Sequence, residues 1–251
     1  MKYRIHKKYV PLTSKLQGII GNFTTSGTLI GDGDRNKIKI YDIDGKSINV
    51  KSFKIPNFIN QIIYKYVRKS KAQRSFEYAD RLTQLGIGTP QPIAFFENSR
   101  FSGLQESYYI CEHLHYDLTY RELVTDPDYP DHENILKQFT KFTWQMHEKS
   151  IYFKDHSPGN TLIVKNGSNY DFFLVDLNRM SFFELDFEAR MKNFSRLTPK
   201  KEMVKIMSDA YADLSGHGFN TVFEKMWFYT DQFQEKFHRK KRLKQRFLGK
   251  K

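Results

Sequence analysis

Between residues 28 and 53 apolar and polar side chains follow a period of two. Thr28-Leu29-Ile30 is a short apolar run, Lys37 to Tyr41 alternates charged and apolar, and Ser47 to Phe53 alternates again. That period belongs to half-buried strands. The runs are separated by Gly31-Asp32-Gly33-Asp34-Arg35-Asn36 and by Asp44-Gly45, both turn-forming by composition. Three antiparallel strands are predicted. The period then lengthens. Pro56 opens a segment rich in Ile, Phe and Tyr. Ser70 is placed as an N-cap with Gln73 three residues on, and Phe76, Ala79, Leu82 and Leu85 form a helical stripe that Gly86 ends. Two further strands are expected at Ile93 to Glu97 and Ser107 to Cys111. Residues 1–22 are basic and mixed, punctuated by Gly18 and Gly21, and no element is assigned to them.

Beyond Cys111 the pattern turns helical. Leu118 to Leu123 is a short helix candidate. Ile135, Phe139, Phe142 and Met146 set an amphipathic helix ending near Lys149. Short apolar runs at Thr161 to Val164 and Phe172 to Val175 flank Asn166-Gly167, a hairpin signal, and residues 183–248 read as helices. A β-rich first half followed by a helix-rich second half points to an α+β fold with two lobes. The expected divisions are 1–112, 113–235 and a basic tail, 236–251.

The chemistry concentrates in Tyr152-Phe153-Lys154-Asp155-His156-Ser157-Pro158-Gly159-Asn160. Asp155 and Asn160 sit five apart in a loop after a helix. Sixteen residues beyond Asn160, an apolar strand ends in Val175-Asp176-Leu177-Asn178. Phosphoryl transfer needs one carboxylate to orient the attacking hydroxyl, and an amide oxygen with a second carboxylate to hold magnesium against nucleotide phosphates. The spacing fits that division of labour: Asp155 as the catalytic group, Asn160 and Asp176 as metal ligands. The three are expected to converge in a cleft between the lobes. The competing reading is a Pro-Gly turn with solvated acids.

The same template requires a strand lysine for the phosphates and a helix glutamate to pair with it. Lys51, in Ile48-Asn49-Val50-Lys51, is preferred over Lys54, which falls on the opposite face or past the strand end. Glu77 is the helix candidate; its alternative is a surface pair with Arg81. Gly31 and Gly33 supply two of the three glycines of a phosphate-covering loop, and a plain hairpin turn is the other reading.

With these residues identified, the chain resembles the protein-kinase-like superfamily, and within it the bacterial lipopolysaccharide kinase family acting on Kdo or heptose of the inner core. The resemblance rests on Val50-Lys51-Ser52-Phe53, Arg68-Lys69-Ser70-Lys71-Ala72, Arg74-Ser75-Phe76-Glu77, Leu85-Gly86-Ile87-Gly88-Thr89-Pro90, Asp155 to Asn160 and Val175 to Arg179. It implies a small antiparallel-sheet N-lobe with one main helix and a larger helical C-lobe. It implies ATP and Mg2+, a Lys51–Glu77 ion pair on the nucleotide, and backbone contacts to adenine around Glu112 to Leu114. The implied activity is transfer of the γ-phosphate to a sugar hydroxyl, Kdo of Kdo-lipid A foremost. Phe153 and Lys154 depart from the usual His-Arg, Leu177-Asn178 replaces Phe-Gly, and no Ala-Pro-Glu follows. The activation segment therefore looks very short, which weighs against a protein substrate. A protein Ser/Thr/Tyr kinase, a pseudokinase and a basic nucleic-acid-binding protein are the alternatives.

Composition adds the partner class. The 251 residues carry 41 Lys and Arg against 28 acids, a net charge of +13, which suits an anionic partner. Residues 236–251 hold nine of those cations and no acid. They read either as a basic amphipathic helix on the anionic cytoplasmic face of the inner membrane or as a solvated tail. A second basic cluster spans Lys65, Arg68, Lys69, Lys71 and Arg74. The single cysteine, Cys111, excludes an internal disulfide, and the absence of a signal-peptide core or a spanning apolar run predicts a cytoplasmic setting. No nucleic-acid motif is present. His147 is expected to cap its helix, and Trp144 and Trp227 to lie in the core.

Overall fold

The computed structural model describes residues 1–30, 36–101 and 103–248, which divide into two compact units. The first comprises Met1–His115 together with Asp176–Asn178; the second comprises Tyr116–Val175 and Arg179 onward.

Unit 1 is built on a six-stranded antiparallel sheet in the order β1-β5-β6-β4-β3-β2. The strands are β1 (Lys2–Ile5), β2 (Thr28–Ile30), β3 (Asn36–Ile43), β4 (Lys46–Phe53), β5 (Pro92–Arg100) and β6 (Gly103–Glu112). The β3–β4 turn forms as its residues require: Asp44 and Gly45 take φ values of 54° and 76°, the left-handed pair of a tight hairpin. One face of the sheet is covered by α1 (Thr13–Gly21) and the chain around it, where Leu16, Ile20 and Phe23 pack on Val50, Phe96, Tyr108 and Ile110. Neither β1 nor α1 is among the expected elements. The other face carries α3 (Lys71–Gln84), started by Ser70, whose side chain accepts from the Gln73 amide as the capping spacing predicts. Phe76 of α3 packs on Phe95 of β5, ring centroids 5.7 Å apart. A second helix, α2 (Phe58–Tyr66), lies against β6 and buries none of its residues.

Unit 2 is mainly helical. Its helices are α4 (Tyr120–Thr125), α5 (His132–Glu148), α6 (Phe187–Asn193), α7 (Lys201–Ser215) and α8 (Phe219–Leu248). The predicted hairpin is present as β9 (Thr161–Asn166) and β10 (Asn169–Leu174), with β7 (Leu118–Thr119) added at its side. A two-stranded ribbon joins β8 (Ile151–Phe153) to β11 (Met180–Phe182). The core gathers around α5: Phe139 packs on Tyr120 and Phe172, and α7 lies against both α5 and α8. Trp144 and Trp227 are only half-buried, which corrects their placement in the core. Among the described residues no helix is long and apolar enough to cross a membrane.

Candidate active site

Unit 2 sets Asp155 by strand pairing. In the β8–β11 ribbon Met180 lies opposite Phe153, and the Lys154 amide donates to the Arg179 carbonyl at 3.1 Å. Arg179 is thereby held beside Asp155, and its guanidinium donates to Asp155 Oδ1 at 3.0 Å. Arg196 reaches the same oxygen at 2.9 Å and the Lys154 carbonyl at 2.8 Å. Its guanidinium also stands over the Phe233 ring of α8, 5.5 Å from the centroid. Two cations from different segments thus fix one carboxylate oxygen.

Asn160 closes the same loop. Its Nδ2 donates to the Asp155 carbonyl at 2.8 Å and to Ser157 Oγ at 3.2 Å, which turns Oδ1 to the other side. The Asn160 carbonyl accepts from the Val175 amide at 3.0 Å, so the base of the β9–β10 hairpin is pinned to the loop. Asp176 is the next residue in the chain.

Asp176 belongs to unit 1, where its φ of 57° marks a left-handed turn uncommon for a non-glycine residue. Its Oδ1 accepts from Lys51 Nζ at 2.6 Å and from Asn178 Nδ2 at 2.9 Å. Lys51 is in β4 with only 16% of its side chain exposed, whereas Lys54 lies exposed beyond the strand. Asp176 in unit 1 carries a carboxylate and Asn160 in unit 2 an amide oxygen, each a hard oxygen donor. Among the described residues no three His, Cys, Asp or Glu cluster so as to hold a metal ion, His113 and His115 included.

The expected Lys51–Glu77 pair is absent among the described residues, and the sheet register shows why. Arg4, Phe95, Tyr109 and Lys51 stand in one row across β1, β5, β6 and β4. Three inter-strand steps separate Arg4 from Lys51, about 14 Å at ordinary strand spacing. Glu77 reaches the Arg4 end, 3.8 Å away, and bonds Lys69 at 2.7 Å and Gln73 at 2.9 Å. Phe95 and Tyr109 fill the space towards Lys51. Burial raises the Glu77 pKa, but the bonds from Lys69 and Gln73 outweigh it and hold the carboxyl below its ordinary value. Of the remaining candidates, Glu112 ends β6; its amide is committed to the Gln91 carbonyl at 2.9 Å and its carboxylate to Tyr9 and Lys8. Leu114 follows, half-buried. Gly31 and Gly33 lie outside the described residues.

Two buried histidines support the loop. His147 is not a cap, contrary to expectation. It is 1% exposed, with Nδ1 3.0 Å from the Tyr211 hydroxyl and Nε2 3.2 Å from Asn193 Oδ1. The Asn193 amide in turn donates to the Phe153 carbonyl at 2.8 Å, two residues before Asp155. The acceptor on Asn193 assigns the proton of a neutral His147 to Nε2. His156, fully buried, stacks on Phe139 and meets Thr143 Oγ1 at 3.3 Å. Burial drives the pKa of each down to about 3. An unfolded histidine protonates near 6.5, so between those values the unfolded chain binds more protons and stability falls with pH. It is fully present above about pH 6.5 and is lost towards the folded pKa. Each histidine is expected to remove about 2 kcal/mol between pH 6.5 and 5. Urea unfolding across that range measures the slope, and His156→Phe should roughly halve it.

The family model described as the lipopolysaccharide kinase (Kdo/WaaP) family matches residues 40–215, more than half of the chain. No curated protein is significantly similar in sequence. Among solved structures, one described as WaaP in complex with acyl carrier protein superposes with a TM-score of 0.65 over 94% of this chain and 99% of its own. At 13% identity that likeness shows a shared fold.

Proposed function

The chain belongs to the lipopolysaccharide kinase (Kdo/WaaP) family, whose members are phosphotransferases, and from that premise we propose that it transfers the γ-phosphate of ATP to a sugar hydroxyl of the inner core, the Kdo of Kdo-lipid A. The observation that carries this reading is the Asp155–Asn160 loop, pinned through the Asn160–Val175 bond to the strand that delivers Asp176.

Asp155 accepts the hydrogen bond of the sugar hydroxyl and takes its proton as the new phosphate ester forms. Arg179 and Arg196 occupy Oδ1, which leaves Oδ2 for the acceptor. Lys51 places its ammonium on the nucleotide phosphates and stabilises the charge that develops in transfer. Asn160 and Asp176 are the residues that would hold magnesium, which when bound neutralises phosphate charge. Asn178 orients the Asp176 carboxylate. The adenine is assigned to the backbone from Glu112 to Leu114, where the Glu112 carbonyl and Leu114 are the available groups because the Glu112 amide is already bonded. A sugar rather than a peptide acceptor is supported by the short connection after Asp176: α6 begins at Phe187, and β11 takes up part of the interval. The basic end of α8, helical to Leu248, would add attraction to the anionic leaflet that carries such a glycolipid.

ADP release from Mg-ATP should rise on addition of Kdo-lipid A and stay at background with a generic peptide substrate. Release stimulated by peptide alone would transfer the assignment to protein kinases. No release with any acceptor, with nucleotide still bound, would leave a pseudokinase.

A further inference from the structure

The amphipathic helix α2 leaves an apolar stripe exposed while two of its polar side chains are bonded to the rest of unit 1. Gln61 and Lys65 are bonded to the rest of unit 1, while Asn60 is exposed. Gln61 Nε2 donates to the Pro56 carbonyl at 2.9 Å, Gln61 Oε1 accepts from Gln105 at 2.8 Å, and Lys65 Nζ donates to the carbonyls of Arg100 and Phe101 at 3.0 and 3.2 Å. Gly103 makes this approach possible: at φ 133°, a Cβ there would lie 2.6 Å from the Gln61 carbonyl carbon. Phe58, Ile59, Ile62 and Tyr66 fall within one 100° sector of the helix and face outward, Ile59 being 69% exposed. Val67 continues them at 81%, and Phe101, beside the same lysine on the β5–β6 connection, is 98% exposed. The Lys65 ammonium sits 4.9 Å from the Tyr66 ring and 5.8 Å from the Phe101 ring, which joins helix and hairpin into one patch.

A contiguous exposed apolar patch of this kind marks an interaction surface. Its rim selects the partner. Lys54, Arg68 and Arg100 are exposed around it, and no Asp or Glu occurs from residue 45 to residue 76. A second copy of the chain would bring the same unopposed cations to the contact. Nucleic acid would leave the aliphatic centre without a partner. We infer that α2 and Phe101 form a membrane-surface anchor, with the apolar stripe entering the headgroup–acyl boundary of an anionic bilayer and the cations meeting its phosphates. The anchor requires neither nucleotide nor glycolipid acceptor, so it stands or falls apart from the phosphotransfer reading.

The test is sedimentation of the full chain with vesicles of phosphatidylcholine containing phosphatidylglycerol, and with phosphatidylcholine alone. Binding is expected to the anionic vesicles and to fall about tenfold or more in the Ile59→Asp/Phe101→Asp double variant. Both positions are exposed, so its melting should match the parent. Independently, the emission of a Phe101→Trp variant should shift to the blue on the anionic vesicles and be quenched by brominated acyl chains. Reversing charge on α8 with Lys240→Glu/Lys241→Glu should weaken binding at low salt and leave that quenching in the bound fraction. Three results would overturn the inference: undiminished binding by the double variant, a bound Phe101→Trp protein without quenching, or a parent dimer that the double variant loses while neither binds lipid.

Discussion

Asp155→Ala is expected to lower kcat for phosphate transfer by about 10³-fold, within the range that a positioned acid–base group contributes. Asp155 is assigned to the acceptor hydroxyl and makes no contact with the nucleotide in this account. The KM for ATP should therefore stay close to that of the parent, because the loss falls on the transition state. Removing the carboxylate also leaves Arg179 and Arg196 without the oxygen they share. Part of any loss would then be structural. Asp155→Asn separates the two effects: it retains an Oδ1 acceptor for the guanidiniums and cannot take the proton. Single-turnover kinetics on both variants, with circular dichroism as the check on folding, should show equally deep losses. An Asp155→Asn enzyme with near-parent turnover would remove Asp155 from the chemistry.

Lys51→Ala is the second large effect. The loss should be about 10²- to 10³-fold in kcat, the usual consequence of deleting one preorganised donor at a developing charge. Lys51→Arg should recover little, because a planar guanidinium does not reproduce an ammonium at one phosphate. The contrasting control is Lys54→Ala, an exposed position whose substitution should change stability by no more than about 0.5 kcal/mol and leave turnover intact. Lys51 and Asp176 touch at 2.6 Å, so their substitutions should be strongly non-additive: with one gone, removing the other costs less. Steady-state kinetics on the single and double variants measure that coupling.

Several features of the molecule could be read directly from residue order. The strands from Thr28 to Phe53 were legible because period-two alternation meets a turn whose residues tolerate positive φ. The start of α3 was legible because a serine hydroxyl three residues before an amide is a local device. β1 and α1 were not. β1 is an edge strand with three of its four residues exposed, and α1 fully buries only Leu16 and Ile20 and carries two glycines, Gly18 and Gly21. Neither has a period strong enough to announce itself.

The site divides along the same line. The Asp155, Asn160 and Asp176 spacing is local and visible. The cations that hold Asp155 are not, because Arg196 lies 41 residues from it and owes its position to Phe233 still farther on. An arginine amid 41 basic residues carries no signal of its own. Glu77 shows the opposite error. A kinase-type pairing rule assigns Lys51 to it, but the strand order places Arg4 of β1 nearer, and strand order is a tertiary fact that one-dimensional pattern does not contain. His147 reads as a helix cap along the chain for a similar reason: its partner Tyr211 is 64 residues away.

Under the proposed function, this chain phosphorylates an inner-core sugar through the Asp155 carboxylate. Intact-lipid mass spectrometry of Kdo-lipid A after incubation with Mg-ATP and the purified protein tests it most directly. One added phosphate is expected, placed on the Kdo by fragmentation, and none with Asp155→Ala. Unmodified lipid from the active parent, or the same phosphorylated lipid from the Asp155→Ala protein, would contradict it.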